Sequence, residues 1–248
     1  DMDRSLGVPK AEFLDSVRRS LDRQPAAPDP AYPRLLDDVS SLQEEAQRIR
    51  ARINENRPAL LDRFAEVAEV RGWNVHRTSD PEYAMAHIQS LADSLGVKNA
   101  VRSDQEVFGQ ILVDAPLESS GINVTTVSHG PDRSREFLRS SIIAADIGLT
   151  GADYAVAETG SVIVMPRKGM SRLVSVVPPV HLALVRPEDL VESLDDLFLL
   201  RRLEYHEKGG EMGSYLNFIT GPSRTADIEQ TLVVGVHGPK EVHMVILG

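Results

Sequence analysis

The segment from Thr150 to His181 constrains this chain more than any other. Ala155-Val156-Ala157 is small and apolar, the composition of a buried strand end. Glu158-Thr159-Gly160 interrupts it, and Ser161 to Met165 resumes an apolar run. A second run, Leu173 to Val177, follows Arg167, Lys168 and Arg172; after Pro178-Pro179 a third extends from Val180 to Val185, with His181 near its start. Short apolar runs bounded by glycine and proline read as strands. A carboxylate set among them is costly to bury unless it is paired or hydrogen-bonded. Gly160 beside it lets a backbone or ligand approach closely, and the proline pair stiffens the approach to the third strand and withholds two backbone donors. Glu158 therefore has two readings. It is a strand-end acid satisfied by Thr159, Ser161 or an arginine, or it is a functional carboxylate.

The remaining composition matters through what it excludes. A chain of 248 residues can bury a core as one large or two small domains. The formal net charge of −10 argues against broad nucleic-acid binding and fits a cytoplasmic protein. With no cysteine, disulfides, thiolate catalysis and cysteine-ligated clusters in this chain are excluded together. No apolar run reaches membrane-spanning length, and DMDRSLGVPK lacks the apolar core of a signal peptide.

Along the chain, Lys10 to Arg23 reads as an amphipathic helix, with Phe13, Leu14, Val17 and Leu21 at helical spacing. Four prolines between Gln24 and Pro33 mark a linker. Leu35 to Val70 is a long charged helical region in which Pro58 is expected to start a new helix. Residues 1–70 thus form a helical arm and linker, and residues 71–248 an α/β domain, because from Gly72 strands alternate with helices. Trp73 to His76, Asn99 to Arg102 and Gly121 to Val127 read as strands. Pro81 to Leu95, Pro131 to Ala145 (with Phe137, Leu138, Ile142 and Ile143 inward) and Pro187 to Leu203 read as helices, and Val107 to Leu112 as a helix or turn. Tyr215 to Ile219 and Val242 to Leu247 close the chain as strands. The pattern predicts an open, mixed but mainly parallel sheet.

Three further groups carry candidate chemistry. Gly221 to Glu229 follows a strand and is expected to open a helix, placing Ser223, Arg224 and Thr225 near free backbone donors where anions bind. The ordinary alternative is capping by Ser223 or Thr225, with Asp227 and Glu229 favouring the positive helix end. His237, between glycines in the turn before the last strand, is a general base or a phosphate ligand, or else a plain surface histidine. His181 is a catalytic candidate or a core histidine bonded to a carbonyl. No histidine or acid spacing suggests a metal, and no dinucleotide or phosphate-loop fingerprint is present. Glu158, His181 and the Ser223–Asp227 turn are expected to converge at the carboxyl ends of the strands.

GADYAVAETGSVIV, LVSVVPPVHLALV and ITGPSRTADIEQTLVVGVHGPKEVHMVIL, in this order, resemble the LUD-domain family, and within it the lactate-utilisation protein C group. The resemblance covers roughly residues 72–248 and implies a fold of the isomerase and coenzyme-A-transferase type. It also implies a subunit without its own redox cofactor that acts with two iron–sulfur proteins in oxidising L-lactate to pyruvate. Carried onto this sequence, its signature positions include Glu158, His181 and His237 as catalytic candidates. Thr159, Gly160, Ser223, Arg224, Thr225 and Asp227 are candidates for holding a small carboxylate. The resemblance to coenzyme-A transferases leaves open a stand-alone acyl-transferase or isomerase, with Glu158 as the acyl acceptor.

Overall fold

The computed structural model describes residues 10–22, 38–128, 134–166, 171–210, 213, 215–226 and 232–248. Its contacts divide the chain into two units, residues 1–41 and 42–248. In the first, helix α1 (Lys10–Ser20) leaves Phe13, Leu14 and Val17 exposed.

The second unit begins within helix α2 (Val39–Arg71), which runs unbroken past Pro58. The expected new start at Pro58 does not occur. Pro58 and Asn54, whose carbonyl loses its partner, both lie on the exposed face, so water can satisfy what the proline removes. The opposite face buries Leu42, Ile49, Ile53, Leu60, Leu61 and Phe64. These belong to one core cluster with Val156, Ile163, Val185 and Met244, so α2 is integral to the α/β unit and no boundary falls near residue 70.

Six parallel strands form the central sheet, in the order β1 (Asn74–Thr78), β12 (Glu241–Leu247), β7 (Val180–Val185), β4 (Ile147–Gly151), β2 (Asn99–Ser103) and β3 (Asn123–Val127). Helices α3 (Pro81–Ser94) and α4 (Asp114–Ser119) cover one face, burying Ala84, Ile88 and Leu117 against Leu149, Leu182 and Val245. Asp80 caps α3 by accepting from Glu82 N–H at 2.8 Å. Helix α5 (Arg135–Ile143) buries Leu138 and Ile142, whereas Phe137 and Ile143, expected inward, are exposed. A nine-residue helix on one side of a sheet turns only a narrow stripe inward.

A second sheet orders β8 (Leu190–Val191), β5 (Tyr154–Val156), β6 (Ser161–Val164) and β9 (Asn217–Ile219). The run Leu173–Val177 is not a strand; residues 172–175 form a 3-10 turn whose backbone lies on Gly148, where a Cβ would stand 1.9 Å from Val174 O. The expected helix from Pro187 is a 3-10 turn, then β8, and only then helix α6 (Leu194–Glu207), capped by Ser193. The segment after Gly221 is likewise not a helix. It is strand β10 (Arg224–Ala226), paired antiparallel with β11 (Leu232–Val234) in a separate two-stranded ribbon.

Candidate functional site

The site is built around the end of α2. Gly72, at φ 98°, terminates the helix: its N–H donates to Glu69 O at 2.9 Å and Trp73 N–H donates to Ala68 O at 3.1 Å, the paired bonds of a Schellman cap. Both signature segments pack on this turn. Gly160, at φ 65°, lies on Val67 and Ala68 so closely that a Cβ would come within 2.7 Å of Ala68 N. A Cβ on Gly221 would come 2.3 Å from Arg71 O, and one on Gly72 2.5 Å from a guanidinium nitrogen of Arg224. At Gly160 and Gly221 the glycine is needed because backbone meets backbone, as the sequence reading of Gly160 anticipated, whereas Gly72 faces the Arg224 and Pro222 side chains.

Hydroxyls join the same region. Thr159 Oγ1 donates to Ser161 Oγ at 2.8 Å, and Ser161 Oγ shares a 2.8 Å bond with Thr220 Oγ1. Ser223 ties the two ends of the ribbon segment together. Its N–H donates to Pro239 O, its carbonyl accepts from Gly235 N–H, and its hydroxyl accepts from His237 N–H at 3.2 Å. Ser223 is therefore not a helix cap. Thr225 pairs with Val233 inside the ribbon. Arg224 is exposed, with no ion pair to a described residue, and His237 is exposed. Asp227 lies outside the described residues.

His181 is fully buried as the second residue of β7, between Gly148 of β4 and Val242 of β12. Its Nε2 shares a 2.9 Å hydrogen bond with Thr150 Oγ1, and its ring lies 6.0 Å from that of Trp73. Burial, aided by the nearby His243, pushes its pKa from 6.5 down to about 3, so the ring is neutral. His181 Nδ1 and Trp73 Nε1 are both buried without a hydrogen-bond partner. The expected carbonyl partner of a core histidine is thus a threonine hydroxyl.

Glu158 points elsewhere. It is exposed, and its carboxylate accepts from Leu194 N–H at 3.1 Å, at the positive end of α6. Arg52 of α2 binds the same helix end through Glu192 and Asp196, each at 2.8 Å. This geometry matches the reading of Glu158 as a satisfied turn acid, with a backbone amide as partner in place of an arginine.

The location of the group also differs from expectation. Pro178-Pro179 precede β7, the 221–240 segment precedes β12, and the α2 turn precedes β1, so Ser223, Arg224, His237 and His181 gather at the amino ends of these parallel strands. The carboxyl ends carry other residues. Gly72, Trp73, Thr150 and Thr220 are site neighbours that the sequence reading left out. The one tryptophan in the chain, sitting at a strand start, was the available signal. No group of three or more histidines or acids among the described residues is arranged to hold a metal.

An open parallel sheet with helices on its faces, sharing one buried core with a mixed second sheet, defines an α/β fold. The LUD domain model matches residues 61–247, and the chain belongs to the LUD-domain family. It is 34% identical over 153 residues to lactate utilization protein C of Halalkalibacterium halodurans, across 61% of this chain and 64% of that one. It is 26% identical over 258 residues to lactate utilization protein B of Bacillus subtilis (strain 168), across 85% of this chain and 52% of that one. The chain thus spans between half and two-thirds of the length of these relatives. A crystal structure of a DUF162 family protein from Deinococcus radiodurans has the same fold, with a TM-score of 0.52 and 23% identity over 77% of this chain and 98% of that one. Among the described residues no helix is long and apolar enough to cross a membrane.

Proposed function

We propose that this chain serves lactate utilisation as a subunit without its own redox centre, acting with two iron–sulfur proteins that oxidise L-lactate to pyruvate. The observation that carries the reading is its similarity, within one LUD domain, to both lactate utilization protein C and lactate utilization protein B. The chemistry is consistent with it. Oxidising a 2-hydroxy acid removes two electrons, and a chain without cysteine supplies neither thiolate ligands for a cluster nor a redox dithiol. Clusters held by the partners would take those electrons. The residues around the α2 turn would bind or dock. Arg224 stands in the open on a ribbon anchored by Ser223, a suitable cation for a substrate carboxylate or an acidic partner surface.

Dye-linked lactate oxidation tests the reading. The chain alone should be inactive, addition of the two iron–sulfur proteins should give turnover, and Arg224→Ala should lower that turnover several-fold with the melting temperature within a few degrees of the parent. Robust oxidation by the lone chain would overturn the subunit reading.

A further inference from the structure

The central sheet parts at one place. β2 continues through Ser103 against Val127 of β3, and β4 continues through Gly151 against Leu184 of β7. β2 and β4 pair with each other only from Ala100–Ile147 to Arg102–Leu149. Within this sheet β2 is followed by β3 on one side, and β4, after the excursion through β5 and β6 of the second sheet, is followed by β7 on the other. That is a topological switch point, and open α/β sheets take ligands in the crevice outside the carboxyl ends of strands at such a point. It lies at the edge opposite the α2 turn.

Gln105 fills this crevice. Gly151 N–H, on one wall, donates to Gln105 Oε1 at 2.8 Å, and Ser103 Oγ, on the other, donates to the same oxygen at 2.7 Å. Ser103 is fully buried and Gln105 is 8% exposed. The Gly151 wall is bare backbone, since a Cβ there would stand 2.9 Å from Val107 Cγ1 and 3.2 Å from Gln105 Cδ. One donor from each wall converges on a single carbonyl-type oxygen, the contact a ligand carboxylate oxygen makes in a binding site. Gln105 precedes the short 3-10 turn Glu106–Gly109 and belongs to no strand, so its side chain can leave without disturbing β2 or β4. Glu106 reaches Arg186, just beyond β7, at 3.7 Å from a 91% exposed side chain, a tether worth little.

We propose that the crevice between β2 and β4 is a binding site for a small carboxylate, and that Gln105 is its built-in occupant. The incoming carboxylate displaces the Gln105 carboxamide and takes its bonds from Gly151 N–H and Ser103 Oγ–H. The choice of a 2-hydroxy acid as first probe rests on the proposed function; the site itself rests on the sheet geometry.

The test is titration of the full chain with L-lactate, pyruvate and acetate, followed by the backbone amide NMR signals of Ser103, Gln105 and Gly151. We expect saturable shifts at these three positions. Gln105→Ala should tighten binding tenfold or more, because the ligand no longer competes with the side chain. Ser103→Ala should weaken it about tenfold. Gln105→Met, which keeps the bulk but lacks the acceptor, is the replacement should the alanine variant fail to fold, and it too should bind more tightly than the parent. Binding of pyruvate or acetate without L-lactate would uphold the site while counting against lactate as its ligand. Signals that do not move with any of the three acids, or a Gln105 variant that folds but binds no better than the parent, would overturn the proposal whatever the turnover of the reconstituted system.

Discussion

His181 shows how burial, with a second histidine nearby, fixes a residue's chemistry. Its folded pKa of about 3 lies below the ordinary 6.5, so between those values the unfolded chain binds one proton more than the folded one. Stability is then fully present above pH 6.5 and falls as the pH drops toward 3, at up to about 1.4 kcal/mol per pH unit from this group. His87, lowered by burial and by His76 stacked on it at 3.8 Å, adds a loss of the same sign. Urea midpoints measured from pH 7 to pH 4 should fall steeply in the parent and less steeply in His181→Gln, which carries no titrating group. Equal slopes in the two proteins would show that His181 is not the buried neutral group described. The same burial argues against His181 as an open general base, since a neutral ring with no route to water exchanges protons slowly. Glu158 is limited differently. It is accessible, but its carboxylate already caps α6, which weakens its case as an acyl acceptor.

Elements were legible in the sequence where a local signal decided them. Asp80-Pro81 starts α3, Gly72 ends α2 and the alternation after it gives the parallel strands. They were not legible where a distant neighbour decided. Leu173 to Val177 has strand composition, yet it folds as a 3-10 turn because Gly148, from another strand, lets that backbone settle against it. Ser223 resembles a helix cap, but its hydroxyl serves His237, fourteen residues on. The site was half legible for the same reason. Its glycines and Arg224 stood out as types, whereas Gly72 and Trp73, which bring them together, lie far away in the chain. Pro58 is the converse case, a strong local signal overridden by packing. The buried stripe from Leu42 to Ala68 holds α2 as one helix. Proline in a helix interior costs about 3 kcal/mol relative to alanine, and part of this is offset by its lower unfolded-state entropy. Pro58→Ala, on the exposed face, should therefore raise stability by about 2 kcal/mol, read as a higher urea midpoint at unchanged slope. No gain would mean that α2 is already broken there.

At the scale of the whole molecule the question is where the folding unit begins. The family match starts at residue 61, the change from charged helix to strand pattern falls near residue 72, and the compact unit starts at Leu42. Packing decides between them. Leu42, Ala46, Ile49 and Ile53 are buried in the cluster that also contains Val156, Leu197 and Met244. Each large aliphatic side chain removed from such a cluster costs about 2–5 kcal/mol, against a total stability of about 5–15 kcal/mol for a domain. Two truncations follow with opposite outcomes. A chain starting at residue 38 keeps all of α2 and should melt cooperatively, close to the full-length protein, because none of the described residues before it is a member of the buried cluster. A chain starting at residue 72 loses the whole stripe, exposes the partners of Leu60, Leu61 and Phe64, and removes the turn on which Gly160, Gly221 and Arg224 rest. It should be recovered only as aggregate or without a cooperative transition. Circular dichroism melts of both proteins check this, and a cooperative melt of the shorter one would show that α2 is an appendage to a core that closes without it.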